Sequence, residues 1–241
     1  MTPGKMGAIE TIGSEATGSE IGQRVAQLLL SAGAIHVSRD RPFILAAGWA
    51  SPVYVDCRIL IGQPRVRRAI TELSAQYLSA TFPTGSLDAI AGAETGGIAF
   101  AALLAEQCAL ELRYVRKRPL GIGRNAQVEG GPVEGLRVLL IDDLTTDGAS
   151  KLAFVRGLRS AGAVVEHVLT IFYHSAFSGA LERLEQANLK LHALATWTDV
   201  LRGVAGEQLA AQDRSAIENF LADPVAWSTR HGGRAARSAQ G

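Results

Sequence analysis

The run Val-Leu-Leu-Ile-Asp-Asp at positions 138–143 constrains the fold more than any other stretch of this chain. Four consecutive apolar residues suit a strand buried on both faces, as strands are inside a parallel sheet. Asp142 and Asp143 then fall at the strand's carboxyl end, where open α/β sheets bind ligands. Leu144, Thr145, Thr146, Asp147 and Gly148 follow as a loop, and Ala149 and Ser150 open a helix predicted over 149–161 and ended by Gly162. Such a loop can wrap a phosphate. Its backbone N–H groups point inward, its hydroxyls donate, Gly148 permits tight geometry, and the helix N-terminus favours an anion. The adjacent carboxylates suit sugar hydroxyls and a hydrated Mg²⁺. The plainer reading is a strand that ends in Asp and caps the next helix. It accounts for one carboxylate and leaves the second carboxylate, the hydroxyls and the glycine without a purpose.

The same rhythm of strand, loop and helix runs through the rest of the chain. Strands are expected at 89–91, 112–115, 138–141, 164–173 and 189–196, with helices at 98–109, 149–161 and 177–187. The fold class that follows is α/β, a mainly parallel twisted sheet flanked by helices. Before it, Ser19 caps a helix that stops at Gly33, short extended runs lie at 35–37, 43–45 and 53–58, and Pro64 starts a helix reaching 80. Residues 19–87 therefore read as a small N-terminal cap on one domain spanning 19–227. The polar, Gly-rich stretch 118–132 reads as a long mobile loop, and a long loop inside a compact domain is functional or disordered. Residues 1–18 and 228–241 read as disordered ends.

Composition narrows the function. The formal net charge is +1, so bulk attraction to nucleic acid or anionic membrane is not expected, and an anion site must come from local placement. No apolar run is long enough to span a bilayer and no signal peptide is recognisable, which places the protein in the cytoplasm. Cys57 and Cys108 have neither disulfide nor metal-ligand spacing and read as buried free thiols. No GxxxxGK[ST] is present, and Gly121-x-Gly123 lies in the polar loop, so neither of the commonest nucleotide loops applies.

The segment V-L-L-I-D-D-L-T-T-D-G-A-S resembles the phosphoribosyl pyrophosphate motif of type I phosphoribosyltransferases. The stretch F-I-L-A-A-G-W-A-S-P-V-Y at 43–54 is similar to the F-x-L-x-x-G-x-x-S-P-x-Y segment of the orotate phosphoribosyltransferase family. Arg116-Lys117 matches that family's basic pair before the mobile loop, and Gly92 to Gly97 its Gly-rich turn; the resemblance covers roughly 21–196. It implies transfer of a phosphoribosyl group from phosphoribosyl pyrophosphate to orotate with Mg²⁺, in a homodimer with shared sites. Asp142 and Asp143 would hold the ribose diol, and Leu144, Thr145, Thr146, Asp147, Gly148, Ala149 and Ser150 the 5-phosphate. Arg116 and Lys117 would bind pyrophosphate from the neighbouring subunit. Tyr54, Val55, Thr146 and His174 would line the orotate pocket; for His174 an ordinary strand-end contact is the other reading.

The chain departs from the family's pattern where a loop Lys and a following His or Tyr are usual, here Leu120 and Ile122. It also departs at Ala46 and Gly96, where Lys is common, and at His174, near the usual place of an orotate-binding Arg. Two alternatives stay open at this point: a transferase acting on another base, and a non-catalytic phosphoribosyl pyrophosphate-binding regulator, which Leu120 favours.

Overall fold

The computed structural model describes residues 15–45, 47–119, 127–203 and 209–234. Helix α1 (Glu15–Ser31) precedes four short strands, β1 (Ile35–Val37), β2 (Phe43–Ile44), β3 (Ala50–Ser51) and β4 (Val53–Val55). These pair antiparallel, β1 with β4 and β2 with β3. A 3-10 turn (Cys57–Gly62) leads into α2 (Pro64–Thr81), with Pro64 in its first turn, where a missing N–H costs nothing. Then come β5 (Ala89–Ala93), α3 (Gly96–Cys108), β6 (Glu111–Val115), β7 (Val128–Glu129) and β8 (Arg137–Thr145). The chain continues through α4 (Ala149–Ser160), β9 (Val164–Tyr173), α5 (Ala180–Glu185) and β10 (Lys190–Thr196). Three helices close it: α6 (Trp197–Gly203), α7 (Ala211–Ala222) and α8 (Pro224–Arg230).

Six strands form one sheet in the order β10-β9-β8-β5-β6-β7, parallel except for the β6–β7 pair. Period-2 alternation sends neighbouring residues of β8 to opposite faces. Leu139 and Ile141 join a core with Val25 and Leu29 of α1, Leu73 of α2 and Leu104 of α3. Val138 and Leu140 join another with Phe154, Val155 and Leu158 of α4. This explains the unbroken apolar run at 138–141, and the α/β class expected from the sequence is the one observed.

Several boundaries differ from expectation, each for a physical reason. Strand β8 runs on to Thr145, because Asp142, Leu144 and Thr145 still pair with Thr170, Phe172 and Tyr173 of β9. The paired carboxylates thus sit on ladder backbone, not on a loose loop. Helix α1 starts at Glu15, inside the stretch expected to be disordered. The far end of the polar loop returns as β7, with the Arg116 N–H donating to the Gln127 carbonyl at 2.7 Å. The apolar stripes of α1 and α2, together with Val53 and Val55 of β4, join the same core as the sheet, and Ile35 and Val37 of β1 pack against it. Ser228, in the tail expected to be disordered, is fully buried, and its Oγ accepts the Ala50 N–H of the β2–β3 hairpin. Cys57 is buried and Cys108 half-buried, both free.

Candidate active site

A cavity of about 710 Å³ opens where β5, β6 and β8 end, between the α4 N-terminus and the hairpin strands. Leu144, Thr146, Asp147, Ala149 and Ser150 line it on one side, and Tyr54 and Val55 on the other. Asp142, Asp143 and Lys117 complete the set of expected residues that reach it. The sequence placed these side chains in one segment plus two distant ones; the fold brings them around a single opening.

Asp142 is buried and fully engaged. Its Oδ1 accepts the Asp143 N–H at 2.9 Å, and its Oδ2 lies 2.5 Å from Lys151 Nζ. Lys151 also donates to the Leu144 carbonyl at 2.5 Å and stands 3.3 Å from Ser150 Oγ. A buried lysine needs such an anion, since an unpaired charge in this setting is costly. Among the described residues Asp143 forms no such ion pair. Burial, and then the negative charge of Asp142, push its carboxyl up to about 7. Beside it runs the glycine turn, in which the Glu94–Thr95 peptide is cis. A Cβ on Gly96 would lie 2.5 Å from Asp143 Cγ, and one on Gly97 2.3 Å from the Ile141 carbonyl oxygen. The turn is glycine because the carboxylate strand passes directly against it.

Gly148 starts α4 with φ +74, a left-handed conformation that glycine adopts without strain. Asp147 Oδ1 accepts the Ala149 N–H at 3.1 Å, while the Asp147 carbonyl accepts from the Arg183 guanidinium of α5. The turn is thus braced from outside, and its cavity side stays open to an anion at the helix N-terminus. Thr145 differs from expectation. Its hydroxyl points into the protein, fully buried and without a hydrogen-bond partner among the described residues, so only Thr146 presents its side chain to the cavity. Gly148 contributes backbone geometry and does not line the opening.

The basic pair divides. Lys117 borders the cavity, and its N–H donates to Glu94 Oε2 at 2.8 Å. Arg116 turns away, with Nε 3.2 Å from Glu129 Oε1, Nη1 3.8 Å from Glu94 Oε1 and its guanidinium over the Tyr114 ring. Glu94 ties the end of β6 to the glycine turn.

His174 is a correction. It stands one residue beyond β9, but its ring is buried among Phe177, Trp197 and Phe220, with centroids 5.9, 5.6 and 6.0 Å away. Burial lowers its pKa to about 4, so the imidazole is neutral at physiological pH, and it does not border the cavity. Leu120, Ile122 and Ala46 lie outside the described residues.

Two cations at the cavity were missed by the sequence reading. Arg58 is held by Asp56, with Nε 2.7 Å from Oδ1 and Nη2 3.1 Å from Oδ2, and Nη2 also donates to the Tyr54 hydroxyl at 3.0 Å. Lys151 is the other, and the signal for it was present. It occupies the first place of the stripe Lys151, Phe154, Val155, Leu158, which faces the core. A lysine in an apolar stripe announces a buried partner. Among the described residues no three His, Cys, Asp or Glu side chains converge to hold a metal ion.

A family model described as the phosphoribosyl transferase domain matches residues 60–183. The chain is 46% identical over 211 residues to an orotate phosphoribosyltransferase of Allorhizobium ampelinum, covering 87% of this chain and 91% of that one. Among solved structures, an orotate phosphoribosyltransferase from Aeropyrum pernix is 32% identical with a TM-score of 0.62, covering 73% of this chain and 96% of the other. The UMP synthase of Leishmania donovani matches in fold with a TM-score of 0.72 at 24% identity; the likeness covers 83% of this chain and 42% of that longer one.

Proposed function

The chain belongs to the orotate phosphoribosyltransferases, and on that premise we propose how its cavity carries out the transfer. The reaction moves the phosphoribosyl group of phosphoribosyl pyrophosphate to orotate, giving orotidine 5'-monophosphate and pyrophosphate. The observation that carries the assignment of roles is the continuous surface from Asp142 and Asp143 to Ser150, which joins a carboxylate pair to the N-terminus of α4.

In this reading the 5-phosphate lies in the turn from Thr146 to Ser150, held by backbone N–H groups and hydroxyls. Asp142 and Asp143 accept hydrogen bonds from the ribose diol. As pyrophosphate departs, the sugar gains oxocarbenium character, and the neighbouring carboxylates stabilise that positive charge. Lys117, on the β6 side, meets the pyrophosphate. Tyr54 and Val55 border the base, and Arg58 supplies the cation on their side for the acid group of orotate, taking the place expected of His174. The Asp56 pairing fixes the guanidinium and leaves Nη1 free of the hydrogen bonds that hold Nε and Nη2. Asp142 and Asp143 would hold Mg²⁺ through its water shell beside the pyrophosphate, where the ion would supply charge neutralisation; carboxylate oxygens at the cavity suit such a hard cation. Because Arg116 does not border its own cavity, the reading assigns it to the site of a second subunit in a homodimer.

The deciding experiment is a spectrophotometric assay of orotate loss with purified protein, phosphoribosyl pyrophosphate and Mg²⁺, with uracil and purine bases as controls. Orotate-dependent turnover is expected. Turnover with another base in place of orotate, or binding of phosphoribosyl pyrophosphate with no turnover, would overturn the reading.

A further inference from the structure

The β2–β3 hairpin borders the cavity through Leu45 and Ala47, yet it consists of two residues per strand. An isolated two-stranded hairpin is marginal in water even when longer. Something outside it must hold it. The structure provides that hold in the C-terminal segment. Ser228 Oγ accepts the Ala50 N–H at 3.0 Å and donates to the Arg234 carbonyl at 2.9 Å. The Arg234 N–H donates to the Gly48 carbonyl at 2.7 Å, and the Arg234 guanidinium lies over the Trp49 ring, 5.2 Å from its centroid. A Cβ on Gly233 would fall 2.2 Å from the Ala50 nitrogen, so the two backbones are in direct contact.

The segment that grips is itself anchored. Ile217 and Phe220 of α7 are fully buried in the main core, and Trp227 of α8 meets Phe220 edge to face at 5.5 Å. Arg39, on the connection between β1 and β2, pairs with Asp213 of α7 at 2.6 Å, a second tie between the same parts. Trp49 stacks on Phe177 at 4.5 Å, which joins the hairpin tip to the region after β9.

We propose that Ser228, Gly233 and Arg234 are positioning residues for the base side of the site: the C-terminal segment clamps Gly48, Trp49 and Ala50 and sets the depth of the orotate pocket. This rests on the assignment of Tyr54 and its neighbours to the base. Among the described residues the contacts given for the clamp run to the hairpin and not to the Thr146–Ser150 turn, so its loss should separate the two substrates.

The test uses the full chain, Ser228→Ala, and a chain ending at Gly232, which removes only residues beyond α8. Amide hydrogen exchange is followed over residues 45–51, and both Michaelis constants are measured. Exchange at Gly48–Ala50 should be slow in the full chain and fast in both variants. KM for orotate should rise about fivefold or more, the effect of about one net hydrogen bond. KM for phosphoribosyl pyrophosphate and kcat should change by less than about twofold. Unchanged exchange would overturn the clamp whatever the activity. Faster exchange with an unchanged orotate KM, or an equal rise in both KM values, would overturn its positioning role. If the full chain turns over no orotate, the functional reading fails, and the exchange comparison alone still decides whether the clamp exists.

Discussion

Asp143 is half-buried beside an ionised neighbour, and its carboxyl is pushed up to about 7. The folded protein therefore holds that proton more tightly than the unfolded chain, where the value is near 4. Stability from this group is complete below about pH 4 and is lost as pH rises toward 7. Asp143→Asn removes the penalty. Its melting temperature should match the parent near pH 4 and exceed it by a few degrees at pH 8, while turnover falls about a hundredfold. A constant difference across pH would dissociate the shift from Asp143. Lys151 presents the opposite case, since it stabilises Asp142 from a buried position. Lys151→Met leaves a buried charge unpaired, and denaturant unfolding should show a loss of about 3–5 kcal/mol. Adding Asp142→Asn to that variant should restore much of it; additive losses would mean that the two do not act as a pair.

At the scale of elements, the site depends on how closely the glycine turn approaches β8. The family resemblance led to an expectation of Lys where this chain has Gly96, and placing Lys there would seem harmless from sequence alone. The structure predicts the reverse. A Cβ at 96 lands on the Asp143 carboxylate, so Gly96→Ala and Gly96→Lys should both displace it. Their KM for phosphoribosyl pyrophosphate should rise about tenfold, with a smaller change in orotate KM. Activity equal to the parent in Gly96→Lys would show that the turn relaxes freely. Such contacts were not legible in the sequence, because Gly96 and Asp143 are far apart along the chain and are brought together by the pairing of β5 with β8 and the packing of the α3 start on β8.

At the scale of the whole molecule, Arg116 tests how sites are shared. It is paired to Glu94 and Glu129 at the sheet edge and leaves its own cavity to Lys117. If it serves a second subunit, mixing Arg116→Ala with Asp142→Asn/Asp143→Asn, each inactive alone, should recover roughly a quarter of parental activity, as random pairing in a twofold dimer gives. No recovery would confine Arg116 to its own subunit. The local chemistry was readable beforehand. The apolar run at 138–141, the carboxylates after it and the glycine that opens α4 are bound by covalent neighbourhood and by the period of strand and helix, so strand, turn and helix start followed from order alone. What needed the tertiary structure were the relations between distant segments. His174 was sent into an aromatic core, Lys151 beneath the phosphate turn, Thr145 inward, and a tail expected to be loose onto the β2–β3 hairpin. A residue's type says which partners it needs; whether a strand end faces a cavity or a core depends on which helix packs across it, and that is decided only when the whole chain closes.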